Sequence, residues 1–278
     1  MRSIEFVKMS GCGNDFVMVD AVGRRVPADL TGLSREVCAR RTGVGADGLV
    51  VLGRGKQGLT ARIFNSDGSE AEMCGNAARC VAKFAQMQGH AGKEVTFQTI
   101  AGTLRARMRG TEVEVQMTPP SGMALDVPVD VDGVEWTVSF INTGVPHVVI
   151  FVKDVSKVDV ERVGRVIRFH RRFAPAGTNA DFVEVRGASK LAMRTYERGV
   201  EGETLACGTG AVAAAAVARH LAKVKANKVT VAVPGGRLVV GLEFRGHELS
   251  GATLTGEARV VYRGVTEQVA PEKGRRTR

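Results

Sequence analysis

Short runs of aliphatic and β-branched residues, broken by glycine or charged turns, recur through most of this chain. Residues 95–99, 104–108 and 113–117 form one such series, and residues 229–233, 238–242 and 258–262 form another. Runs of this length with turn residues between them predict strands in a meander. Two segments change period. Residues 75–88 place Ala77, Val81, Phe84 and Ala85 at helical spacing, which predicts a helix with one apolar face. Residues 208–223 are rich in alanine and carry Val212, Val217 and Leu221. A helix apolar on nearly every side belongs in an interior. The stretch 119–132 is expected to link the two series.

The series repeat because the chain is internally duplicated, a property to seek before any local reading. Cys74 opens Cys-Gly-Asn-Ala-Ala and Cys207 opens Cys-Gly-Thr-Gly-Ala, at an offset of 133 residues. Glu70 and Glu203, and Gly11 and Gly144, share that offset, and a slip of one residue aligns Ala46-Asp47 with Ala180-Asp181. The expected fold class is therefore α+β. It comprises two pseudo-symmetric domains, each a curved, mainly antiparallel, barrel-like β-sheet around a central helix. Residues 1–125 carry Cys74 and residues 126–278 carry Cys207, with the C-terminal strand free to return to the first half. The active site is expected in the cleft between them.

Composition narrows the class without naming a function. Of 278 residues, 44% are hydrophobic and 24% charged, which is globular composition, and aromatics at 5% leave the core to Val, Ala, Leu and Ile. The formal charge of +10 would suit an anionic partner, but Lys and Arg are dispersed. Their one dense run, residues 273–278, is expected to fray. No Arg-rich helix or aromatic-basic motif supports nucleic-acid binding, and neither a signal core nor a membrane span is evident, so a cytoplasmic location is expected. Five cysteines, Cys12, Cys38, Cys74, Cys80 and Cys207, point to reduced thiols rather than a disulfide framework. Their spacing lacks the signature of a zinc site.

The duplicated cysteines carry the chemistry. Each stands just before a predicted helix, where unpaired N–H groups and the macrodipole can stabilise a thiolate and lower its pKa. The same groups suit a substrate carboxylate. Stereoinversion needs one group to remove an α-proton and a second to return a proton to the opposite face, and two tunable thiols meet that need. Cys38 and Cys80 are expected to be small buried hydrophobes; Cys12, in a glycine-rich loop, is left open.

Six stretches, in order, resemble diaminopimelate epimerases: GCGNDFVMVD at 11–20, RRTGVGADGLVV at 40–51, FNSDGSEAEMCGNAARC at 64–80, NTGVPHVVIF at 142–151, GTNADFV at 177–183 and YERGVEGETLACGTGA at 196–211. The resemblance implies interconversion of LL- and meso-2,6-diaminopimelate without pyridoxal phosphate or metal, in lysine and peptidoglycan-precursor synthesis, by a homodimer. It also implies residue roles. Cys74 and Cys207 match the acid/base pair, with His147 and Glu197 setting their protonation. Gly75, Asn76, Gly208 and Thr209 match the groups holding the reacting carboxylate. Asn14, Asn65, Asn179, Glu197 and Arg198 match other substrate contacts, Arg198 as a bidentate partner for the distal carboxylate. Taken alone, His147 would be a structural histidine and Glu197 a solvated strand residue.

Three departures are visible. Gly48 stands where many members have Gln, Val145 where many have Asn, and the GVEGET loop has one extra residue. The alternative is a related two-cysteine racemase for proline or hydroxyproline. Such enzymes are expected to carry His where this chain has Asn76, and their substrates offer Arg198 no distal carboxylate. A same-fold, phenazine-type isomerase would lack the two cysteines, and a binding protein would have no use for them.

Overall fold

The computed structural model describes residues 3–71, 74–246 and 248–266; the basic run at 273–278 lies outside them. In chain order the first elements are β1 (Ile4–Gly11), β2 (Asn14–Asp20), α1 (Leu30–Cys38), β3 (Gly48–Gly55), β4 (Gly58–Asn65), β5 (Glu70–Ala71), α2 (Gly75–Met87), β6 (Glu94–Thr99), β7 (Gly102–Arg109) and β8 (Glu112–Met117). Then follow β9 (Ser121–Val131), β10 (Val134–Asn142), β11 (Pro146–Phe151), α3 (Val160–Arg168), β12 (Asn179–Gly187), β13 (Lys190–Glu197), β14 (Gly202–Thr204), α4 (Gly208–His220), β15 (Lys228–Val233), β16 (Gly236–Arg245), β17 (Glu248–Glu257) and β18 (Arg259–Thr266). Two compact units result. Of the described residues, the first holds those up to Val113 and Ala258–Thr266, and the second those of the continuous segment Glu114–Glu257.

The duplication is visible in the strand pairing. In the first unit β18 pairs with β1 and β1 with β2, both antiparallel; β2–β3 is parallel, β3–β4 antiparallel, β4–β6 parallel and β6–β7 antiparallel. The second unit repeats that sequence of directions through β9–β10, β10–β11, β11–β12, β12–β13, β13–β15 and β15–β16. In each, a short strand before the cysteine, β5 or β14, turns back onto its predecessor.

Each sheet encloses the helix that follows its cysteine. Ten of the thirteen residues of α4 are buried, which leaves no polar face to put in water. The helix packs against β10, β11, β12, β13, β15, β16 and β17, and touching that many strands requires the sheet to curve around it. Small alanine side chains permit the close approach. Helix α2 is enclosed likewise by β1, β2, β3, β6 and β7. A second layer covers the outer face of each sheet. Leu30, Leu33 and Val37 of α1 meet Val17, Val19, Leu49 and Val51, while Val160, Val163 and Ile167 of α3 meet Val148, Ile150 and Phe182.

One expectation is corrected. Residues 119–132 are not a linker, because Ser121–Val131 forms β9, paired with β10. Val127, Val129 and Val131 are buried at every second position while their neighbours are exposed, a period-2 pattern that the proline at 128 disguises. Pro128 occupies an exposed position in the strand.

Candidate active site

Both cysteines are helix N-caps. Cys74 precedes α2 with φ −139° and ψ 121°, and Cys207 precedes α4 with φ −109° and ψ 110°; neither side chain caps its helix. Their carbonyls already accept the first helical bonds, from Ala78 N at 2.8 Å and Ala211 N at 3.0 Å. An α-helix leaves its first N–H groups without intrahelical acceptors, so each sulfur sits beside a set of donors. The duplicated glutamates hold the approach to these positions. Glu70 takes both arms of Arg62 at 2.7 Å, clamping β5 to β4. Glu203 does the same with Arg194 at 2.7 and 2.6 Å, clamping β14 to β13.

In the first unit a two-residue turn, Cys12-Gly13, joins β1 to β2 with φ +53° and +92°. Two successive positive φ values make the tight hairpin that places Asn14 at the head of β2. The Asn76 amide donates to Asn14 Oδ1, and Asn14 Nδ2 donates to Asp47 Oδ2 at 3.2 Å. Arg79, fully buried, donates to Asn76 Oδ1 at 2.6 Å and to the Gly75 carbonyl at 3.2 Å. Asn65 lies exposed at the end of β4, its amide donating to Ser69 Oγ at 3.0 Å.

In the second unit the sulfur joins a line of polar groups. Cys207 Sγ lies 3.4 Å from Thr209 Oγ1, which lies 3.0 Å from His147 Nε2; His147 Nδ1 is 2.7 Å from Asp181 Oδ2. Thr195 Oγ1 donates to Asp181 Oδ1 at 2.8 Å. Asp181 thus faces Nδ1 of the ring and the Thr209 hydroxyl faces Nε2. The single Thr209 hydroxyl proton can go to His147 Nε2 or to Cys207 Sγ. Gly210 makes room for this line: a Cβ there would stand 2.5 Å from Asp181 Oδ1. Asn179, nearly buried, donates to the Pro146 carbonyl at 2.8 Å and accepts from Arg198 N at 2.9 Å, which ties the start of β11 to the residue after β13. Thr204 Oγ1 donates to Glu197 Oε1.

The electrostatics of Cys207 run against the expected lowering. Burial, and then the carboxylates of Glu197 and Asp181, push its thiol well above the ordinary value of 9.0. The Thr209 hydroxyl and the Gly210 N–H oppose them without prevailing. Desolvation of an anion outweighs a helix terminus here, and Cys207 rests as a thiol. Burial also raises Glu197, against the hydrogen bond from Thr204. Cys38 and Cys80 are buried, and burial pushes Cys80 up to about 12, which makes both poor nucleophiles. Cys12 is buried in its turn, and Cys74 is half-buried.

Arg79 and Thr195 were not among the expected site residues, and Asp47 and Asp181 were known only as the two halves of a repeated Ala-Asp. Gly48 proves to be more than a missing contact. A Cβ at this position would stand 2.6 Å from the Phe64 carbonyl oxygen and 3.4 Å from the Phe16 ring, so β3 and β4 approach too closely for a side chain. Among the described residues, no group of three or more His, Cys, Asp or Glu is arranged to hold a metal ion. No helix among them is long and apolar enough to cross a membrane.

Comparison with known proteins bears directly on this arrangement. A family model described as diaminopimelate epimerase matches residues 6–123 and 139–261. A diaminopimelate epimerase of Aquifex aeolicus (strain VF5) is 44% identical, over 96% of this chain and 99% of its own. That of Moorella thermoacetica is 42% identical, over 94% and 98%. Among solved structures, a PhzF-family phenazine biosynthesis protein from Bacillus anthracis aligns with a TM-score of 0.74 at 16% identity, covering 96% of this chain and 99% of that one. A hydroxyproline epimerase from Agrobacterium vitis aligns at 0.71 and 16%, covering 96% and 91%. At such identities these two speak for the fold alone. The family model and the close relatives, taken with two cysteines at matching helix starts of a duplicated fold, lead to one conclusion: this chain is an isomerase that belongs to the diaminopimelate epimerase family.

Proposed function

We propose that the protein interconverts LL- and meso-2,6-diaminopimelate, within lysine biosynthesis, with Cys74 and Cys207 serving opposite faces of one α-carbon. The observation that carries this reading is the thiol of Cys207 at a helix start, bonded through Thr209 to the His147–Asp181 pair, with Cys74 in the equivalent place of the repeat. In one direction a thiolate takes the α-proton: the C–H bond breaks, an S–H bond forms, and the electron pair spreads into the α-carboxylate. The N–H groups of Gly75, Asn76, Gly208 and Thr209 hold that carboxylate as its charge grows. The second cysteine then gives its thiol proton to the opposite face. Cys207, held protonated by burial and its carboxylate neighbours, suits the donor role. When it must act as base, its proton passes to Thr209 Oγ1 while the Thr209 proton passes to His147 Nε2, and Asp181 stabilises the imidazolium. Arg198 grips the distal carboxylate, with Asn14, Asn65, Asn179 and Glu197 completing the substrate contacts.

The same reading places the enzyme in the cytoplasm as a homodimer. Exposed Val261 and Val265 on β18 offer an apolar surface for a second copy, and sedimentation equilibrium measures the assembled mass.

The reaction is tested by α-proton exchange in deuterated water, comparing LL-diaminopimelate with proline for wild type, Cys74→Ala and Cys207→Ala. Wild type is expected to exchange and epimerise diaminopimelate alone, and neither variant to epimerise. Turnover of proline without diaminopimelate would overturn the substrate, and full activity in both variants would overturn the two-thiol mechanism.

A further inference from the structure

The first unit contains a fully buried guanidinium on α2. Arg79 is 0% exposed, and a buried charge is costly unless it is paired and hydrogen-bonded. The duplication supplies an internal control: at the offset of 133 residues, Arg79 corresponds to Val212 in α4, which is buried and apolar. The same architecture therefore closes around valine at this position.

What Arg79 does is visible in its contacts. Arginine only donates, so the Asn76 oxygen must face it, as the 2.6 Å bond shows. The Asn76 nitrogen must then point the other way, and it donates to Asn14 Oδ1. That leaves the Asn14 nitrogen facing Asp47 Oδ2 at 3.2 Å, and a carboxylate only accepts. Asp47 is in turn fixed by Asp15 N at 3.1 Å and Arg40 at 2.6 Å. A donor-only group at one end and an acceptor-only group at the other allow this row of amides one orientation.

We infer that Arg79 and Asp47 are positioning residues that orient the Asn76 and Asn14 amides so that N–H groups, not carbonyl oxygens, are presented to an anionic substrate. The inference rests on the substrate contacts proposed above. A flipped amide would set an oxygen lone pair against a carboxylate, turning attraction into repulsion.

The test compares Arg79→Lys, Arg79→Gln and Asp47→Asn by steady-state kinetics with LL-diaminopimelate, alongside thermal melts. Lysine is also donor-only and is expected to keep KM within a few-fold of wild type. Glutamine and asparagine can each donate or accept and no longer dictate the orientation. They are expected to raise KM at least about tenfold, the scale of one hydrogen bond to a charged group, with a smaller change in kcat. A mere packing role would favour Gln over Lys and leave Asp47→Asn, at the partly exposed end, without effect. Wild-type KM in folded Arg79→Gln and Asp47→Asn overturns the inference; if Arg79→Gln does not fold, wild-type KM in Asp47→Asn does so alone. A wild type that epimerises another substrate but not diaminopimelate overturns the functional reading first, and this inference with it.

Discussion

Single atoms decide much of what this protein can do. Gly48 illustrates the point, because the Phe64 carbonyl occupies the space a side chain would need. Gly48→Gln is therefore expected to lower the melting temperature without lowering KM for diaminopimelate; an unchanged melt with a lower KM would refute this. Thr209 presents a cleaner separation of roles. Thr209→Val keeps the backbone N–H and the side-chain volume but removes the hydroxyl between Cys207 and His147. We expect kcat to fall by about tenfold or more, since positioned proton transfer contributes ~10²–10⁴-fold, while KM stays near wild type. Wild-type kcat would rule out the hydroxyl as a relay. The motifs name the cysteines, His147, Glu197 and Arg198 as candidates. No motif named Arg79 or Thr195, and Asp47 showed only as part of a repeated Ala-Asp, because the row of contacts that Arg79 and Asp47 bracket runs between residues 33 and 62 positions apart and Thr195 meets Asp181 from a neighbouring strand.

Among the elements, both enclosed helices could be read from their apolar spacing, and most strands from short β-branched runs. The outer helices α1 and α3 escaped, although each has an aspartate cap in the sequence: Asp29 accepts from Gly32 N and Asp159 from Arg162 N. Each is only nine residues long, yet Val160, Val163 and Ile167 of α3 stand at helical spacing with charged residues between them, so that signal is present in the sequence. Strand β13 carries a testable flaw. The hydroxyl of buried Tyr196 has no hydrogen-bond partner among the described residues, and a buried unsatisfied polar group costs about 1–3 kcal/mol. Tyr196→Phe is thus expected to be neutral or stabilising by up to about 1 kcal/mol in urea melts. A clear loss of stability would show that the hydroxyl is satisfied in solution.

At the scale of the whole molecule, buried thiols link stability to pH. Cys38, Cys80 and Cys207 all have raised pKa values in the folded state. Between the ordinary value of 9.0 and those raised values the unfolded chain has lost thiol protons that the folded chain retains. Folded chains then bind more protons, so this contribution is complete below pH 9 and is lost as pH rises. Denaturant melts at pH 8 and pH 10 should show the decline, and Cys207→Ala should make it shallower. An equal slope in that variant would contradict the assignment. The return of β18 to β1 has a different kind of consequence, one of timing. The segment Glu114–Glu257 is continuous and can fold as soon as it leaves the ribosome. The unit bearing Cys74 was begun earlier, yet its sheet gains the strand beside β1 only when residues 259–266 emerge. Vectorial synthesis usually matures N-terminal domains first; here the order is reversed, and for most of translation the nascent chain carries β1 as an open edge.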